Sequence, residues 1–223
     1  METQSIAFGT FGSDAFERML SAADRSTLKG LVSPAAVQGF LDSIPYSTAD
    51  FYRCPLRVLR ERTAHCFDGA VFAAAALRRL GHPPLILDML SNGRDDEHLL
   101  AIFKVHAHWG AVAKSNFVGL RYREPVYRTL RELVMSYFEQ YYNLEREKTL
   151  RGYSGPLNLK RFDRLDWTTS DSTMELIAQR TDEIRRVTLI DAEMELRLSP
   201  VDARSYQAGL TGSDPEGLFK PKS

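Results

Sequence analysis

Three side-chain types with the makings of acyl chemistry are spaced through the middle of this chain. Cys66 stands in Thr63-Ala-His-Cys-Phe-Asp-Gly, directly ahead of the alanine-rich run Ala70-Val-Phe-Ala-Ala-Ala-Ala-Leu. His98 opens His98-Leu-Leu-Ala-Ile-Phe, and Ser115 and Asn116 close Trp109-Gly-Ala-Val-Ala-Lys-Ser-Asn. A cysteine on the first turn of a helix meets the positive end of the helix dipole, which favours thiolate. A histidine nearby can take the proton and return it to a leaving group. A third polar side chain can fix the tautomer of that histidine. Together these groups would attack an amide or acyl carbonyl.

The third position has two candidates. On a strand, Ser115 and Asn116 point to opposite faces, so only one of them can reach His98. Asn116 is preferred, because its side-chain carbonyl accepts directly from a ring N–H. Asp95, Asp96 and Glu97 precede His98, either as a solvated loop or as negative charge that raises the histidine's pKa. The main-chain N–H of Cys66 offers one oxyanion donor, and no second is evident. Asp68 complements the helix dipole, His65 opens the helix beside the thiol, and Cys54, held by Pro55, reads as structural. Each feature also has an ordinary reading: Cys66 as a core thiol, His98 as a loop histidine, Asn116 as a turn residue.

A metal site competes for the same residues. His98, His106 and His108 with the acidic loop number enough ligands for zinc or iron. No C-x-x-C and no H-E-x-x-H occurs, and no glycine-rich phosphate loop, so no cofactor and no metal ligand is assigned, the histidine set remaining an alternative.

The elements that must hold these groups follow from periodicity. Residues 65–80 form a helix that is apolar nearly all round and therefore buried, stopped by Gly81 and the Pro83-Pro84 pair. Residues 85–90, 98–105 and 109–116 read as strands, the last two joined by a hairpin at residues 106–108. Ahead of them, residues 1–12 lack pattern, and helices are expected from residue 13 or 14 to 23 and from Ser33-Pro34 to Ile44. Behind them, apolar spacing predicts an amphipathic helix over 123–143. An irregular, aromatic-rich stretch follows over 150–169, then a helix over 170–186 and a short strand or helix over 192–198. One domain over 1–200 is expected, its core at about 60–120, with 201–223 as a flexible tail.

Composition excludes several classes. The formal net charge is zero, so no global field recruits nucleic acid or anionic membrane. No apolar run is long enough to span a bilayer, and the N-terminus lacks the basic start and apolar core of a signal peptide. Two cysteines make no disulfide framework, which points to free thiols and the cytoplasm.

The Cys66 helix with its alanine packing, the histidine opening Asp96-Glu-His98-Leu-Leu, and the tryptophan-led strand resemble the transglutaminase-like superfamily. More narrowly, Trp109 to Asn116 and Arg121-Tyr-Arg-Glu-Pro-Val-Tyr resemble a little-characterised bacterial branch of it. The resemblance implies a papain-like α+β fold, a buried cysteine-bearing helix on a small antiparallel sheet. It also implies a Cys–His–Asp/Asn triad doing acyl transfer or amide hydrolysis on a peptide, protein or small amide. Cys66 and His98 map onto it. The family's aspartate does not: Ala113 stands near its place, followed by Lys114, Ser115 and Asn116. A scaffold that binds without catalysing is therefore a second expectation, and the histidine-ligated metal enzyme a third.

Overall fold

The computed structural model describes residues 14–219. The patternless residues 1–12 lie outside them. Nine helices and seven strands follow in chain order among the described residues. The N-terminal layer is α1 (Asp14–Met19), α2 (Ala22–Gly30), α3 (Pro34–Asp42) and α4 (Pro55–Glu61). The single helix expected to residue 23 is two helices, because Ser21 caps α2 through a reciprocal bond pair with Asp24. Ser33 caps α3 and Pro34 occupies its first position, as the sequence predicts.

α5 (Cys66–Arg79) runs through the interior, buried without a break from Phe67 to Leu77. It ends as expected: Gly81 is left-handed at φ 90°, and the His82 N–H reaches back to the Leu77 carbonyl at 3.0 Å. The strands are β1 (Leu85–Ser91), β2 (His98–Val105), β3 (His108–Val112), β4 (Arg123–Tyr127), β5 (Leu150–Ser154), β6 (Leu157–Asn158) and β7 (Arg186–Thr188). They form one antiparallel sheet in the order β4-β3-β2-β1-β5-β7, with β6 also on β1. A cysteine-bearing helix packed on an antiparallel sheet is the α+β arrangement expected, although the sheet is larger than the sequence suggested.

Both faces of the sheet are covered, which is why β1 and β2 read as continuous apolar runs. Ile86, Leu99, Ala101 and Phe103 join α5 in one core, while Leu87, Met89, Leu100 and Ile102 join Leu133, Tyr137 and Tyr141 in the other. Gly69 permits the close approach of α5 to the chain beyond β3, since a Cβ there would stand 2.2 Å from Lys114 Cβ.

The region 123–143 departs from its pattern. Residues 123–127 pair with the edge of β3, leaving only α6 (Leu130–Met135) and a 3-10 turn at Phe138–Gln140. Residues 150–169 are not irregular: they supply β5, β6 and a 3-10 stretch over Leu159–Leu165. The later helices are α7 (Ser172–Asp182), α8 (Ala192–Glu195) and α9 (Ala203–Gly209). Residues 201–219 do not behave as a loose tail. Val201 is buried, α9 is capped by Asp202, and Tyr206 donates to the Leu144 carbonyl at 3.1 Å. Among the described residues, no helix is long and apolar enough to cross a membrane.

Candidate active site

Cys66 opens α5 as predicted, and its neighbour His65 is the cap. His65 Nδ1 accepts from the main-chain N–H groups of Phe67 at 3.1 Å and Asp68 at 3.5 Å. Asp68 does more than complement the dipole. Fully buried, it accepts from the Arg53 N–H at 2.8 Å and stands 3.5 Å from the Arg53 guanidinium, tying the helix start to the preceding loop. Burial still holds the Asp68 carboxyl up at about 6.

Pairing of β2 with β3 ends at Ala101 opposite Val112, so the first residues of β2 have no strand partner on that side. The start of α5 fills this gap. Cys66 Sγ lies 3.9 Å from the Glu97 carbonyl, at the edge of the sheet. His98 is buried one residue further on, and Nε2 is 2.8 Å from the Leu120 carbonyl. A carbonyl only accepts, so Nε2 carries the proton and Nδ1 keeps its lone pair. Strand alternation gives Leu99 to the α5 side and His98 to the other, so the thiol and the ring approach the open end of β2 from two directions. Both line one small cavity of about 40 Å³, with Tyr46, Ser115, Asn116 and Tyr141. They make no hydrogen bond to each other.

Neither predicted third residue orients the ring. β3 stops at Val112, so Ser115 and Asn116 are not on a strand and the alternation argument fails for them. Ser115 Oγ accepts from the Phe117 N–H at 2.9 Å. Asn116 clasps Asp214, donating from Nδ2 to its carbonyl and accepting from its N–H, both at 2.8 Å. Lys114 dives inward, and its ammonium donates to the carbonyls of Leu41 and Ile44. The Leu120 carbonyl takes the orienting role, and no side-chain pattern announces a main-chain acceptor.

Electrostatics also differ from the sequence reading. Burial, reinforced by Asp96 and Asp88, pushes the Cys66 thiol up to about 12. Burial pushes His98 down to about 4, and the acidic run before it does not reverse this. The resting pair is thus neutral thiol and neutral imidazole rather than thiolate and imidazolium. The acidic run itself is anchored: Asp95 accepts from Thr149 Oγ1 at 2.6 Å, and Tyr141 donates to the Asp96 carbonyl at 2.7 Å. Cys54 is buried, with its thiol also raised to about 12, which fits the structural role expected.

Sequence reasoning missed Tyr46. It lines the small cavity and a larger adjoining one of about 770 Å³. Its phenol lies within hydrogen-bonding reach of the Cys66 main chain and thiol, and burial keeps it protonated. The larger cavity is also walled by His65, Cys66, Asp88, Asp96, Glu97 and Asp182.

The histidine-ligated metal reading fails on distance. His98 begins β2 and His106 follows its end, eight residues along a strand or on the order of 25 Å. His106 and Ala107 form the left-handed hairpin turn, where His106 is exposed and His108 Nδ1 is 2.9 Å from the His106 carbonyl.

No protein-family model and no curated protein matches the chain. Among solved structures, Legionella pneumophila LapG is similar at 12% identity and a TM-score of 0.39, over 73% of this chain and 94% of that one. The EGTA-treated form of LapG gives 12% and 0.38, over 74% and 95%. That likeness is weak, and the geometry above stands without it.

Proposed function

We propose that the chain is a cysteine-dependent amide hydrolase or acyl transferase acting through Cys66 and His98. The observation that supports it is the cavity that Cys66 and His98 both line, in which His98 Nε2 is committed to Leu120 and Nδ1 is left as the free base. In this reading Nδ1 takes the thiol proton as Sγ bonds to the substrate carbonyl carbon. The oxyanion forms at the start of α5, where the Cys66 N–H and the Tyr46 hydroxyl are donors. The tetrahedral intermediate expels the amine, which receives the proton from His98. Water or an acceptor amine then resolves the thioester, with His98 again as base. Because the resting pair is neutral, proton transfer accompanies attack rather than preceding it.

The substrate class is a peptide, protein or small amide entering through the larger cavity. Two unpaired thiols suit a reducing compartment such as the cytoplasm. The test is a screen of peptide and acyl-amide substrates with mass detection of an acyl adduct on Cys66. Cys66→Ala and His98→Ala should both abolish turnover, and Tyr46→Phe should lower kcat by about a hundredfold to a thousandfold with little change in KM.

The absence of a thiol–imidazole hydrogen bond favours a second reading, a binding scaffold of this fold without catalysis. Free enzymes often hold such pairs loosely, so the adduct decides. If no acyl adduct forms on Cys66 with any acylating substrate, the scaffold reading stands.

A further inference from the structure

The larger cavity carries a cluster that thiol chemistry does not use. Asp88 comes from β1, Glu97 from the residue before β2, and Asp182 from the end of α7. One carboxylate oxygen from each lies within 4.8 Å of the other two. Two neighbouring strands and a helix remote from them in sequence thus bring three acids to one point.

Asp88 is the informative member. It is 3% exposed, and its Oδ1 is buried with no hydrogen-bond partner among the described residues. It shares the face of β1 that carries Ile86, toward α5, and its carboxyl meets that of Glu97 and opens on the cavity. Burying a carboxylate oxygen without a donor costs several kcal/mol on the order of magnitude, so such a group normally has a partner. Among the described residues, no lysine or arginine supplies one. Arg186 lines the same cavity and attracts Asp88 at a distance, yet it forms no ion pair with any of the three acids. What the cluster lacks is compact positive charge that several oxygens can share.

We propose that Asp88, Glu97 and Asp182 bind a hard divalent cation. An ion held at roughly 2.0–2.6 Å sets its ligand oxygens about 3–5 Å apart, which is the spacing of these three. An all-carboxylate set suits calcium, magnesium or manganese and disfavours zinc, which prefers nitrogen and sulfur. Glu97 is half-buried and Asp182 exposed, so water can fill the remaining coordination positions from the cavity. The site does not depend on Cys66 being a nucleophile.

The test uses the full chain after chelation, titrated separately with calcium, magnesium and manganese by calorimetry and thermal denaturation. At least one ion should bind and raise Tm at about 1 mM, the weak end of protein sites for such ions. The arm that responds at lowest concentration names the ion. Asp182→Asn, which changes only an exposed ligand, should weaken binding about tenfold or more. Asp88→Asn should abolish the response while keeping the fold, since it replaces a buried acid by a neutral isostere. Absence of heat and of any Tm change with all three ions overturns the proposal, as does an undiminished response in Asp182→Asn and Asp88→Asn. In either case Asp88 and Glu97 simply share a proton.

Discussion

Gly69→Ala should destabilise the protein even though it replaces glycine by the best helix former. In an exposed helix interior the change would gain about 1 kcal/mol. Here the new Cβ would lie 2.2 Å from Lys114 Cβ, 3.2 Å from its Cγ and 3.4 Å from its Cα. Ordinary carbon contact is about 3.5–4.0 Å, so the first pair is short by about 1.3 Å. Rotating the Lys114 side chain does not move its Cβ, so the backbone of one element has to give way. Lys114 cannot yield freely, because its ammonium is fixed by the carbonyls of Leu41 and Ile44. Overpacking of this kind costs roughly 1–3 kcal/mol and occasionally more. A Cβ–Cβ clash that no rotamer change relieves belongs at the upper end, about 2–3 kcal/mol, so against the propensity gain the net loss is about 1–2 kcal/mol. With a urea m-value of about 2 kcal/mol/M, the midpoint falls by about 0.5–1 M. The assay is equilibrium urea unfolding followed by circular dichroism, with m compared between the two proteins. A midpoint that is unchanged or higher at equal m would refute the packing argument, and with it the account of how α5 seats against the residues beyond β3.

Other outcomes follow from the same geometry. His65 Nδ1 is an acceptor, and burial with Arg53 pushes the ring down to about 4. A depressed histidine stabilises the fold above its unfolded value near 6.5 and ceases to as pH falls through 4, because the unfolded chain binds the extra proton. The Asp68 carboxyl, held up at about 6, acts in the opposite sense over the same range, so the readout is the difference between proteins: between pH 6.5 and 4 the urea midpoint of His65→Asn, which keeps a capping acceptor, should fall less or rise more than that of the parent. Asn116→Ala should leave any turnover within about twofold while exposing residues 210–219 to limited proteolysis, since it breaks both bonds to Asp214; a loss of kcat without new cleavage would restore Asn116 to the triad. Iodoacetamide should label Cys66 more slowly than a free cysteine at pH 7.5, because burial, Asp96 and Asp88 hold the thiol protonated; a rate equal to the free amino acid's would show the thiol to be unperturbed.

The parts of the site legible in the sequence were those set by local chemistry. Helix α5 showed in its unbroken apolar run and its Gly81 stop, and the hairpin at His106 in the break between two apolar strands. What escaped was set by tertiary contact. Residues 123–127 carry helical spacing, yet they pair with the β3 edge, where Pro125 is tolerated because an edge strand leaves one side unpaired. The partner of His98 is a main-chain carbonyl, which every residue possesses and no pattern marks. Tyr46 meets Cys66 only because residue 46 bridges to Ala64 in the loop before α5. Asp88 and Asp182 are far apart along the chain, and nothing in the sequence pairs them.

The clasp between Asn116 and Asp214 carries Glu216, Gly217, Leu218 and Phe219 onto the wall of the larger cavity. A Cβ at Gly217 would stand 2.7 Å from the ring of Tyr46, so this segment is pressed against the mouth of the thiol's cavity. A tethered segment competes at an effective concentration on the order of millimolar, with no diffusion step to slow its return. Any outside ligand that needs the same space binds with its affinity reduced by the fraction of molecules in which the segment has lifted. Two preparations that differ only in how firmly this segment is held would therefore report different constants for one and the same cleft.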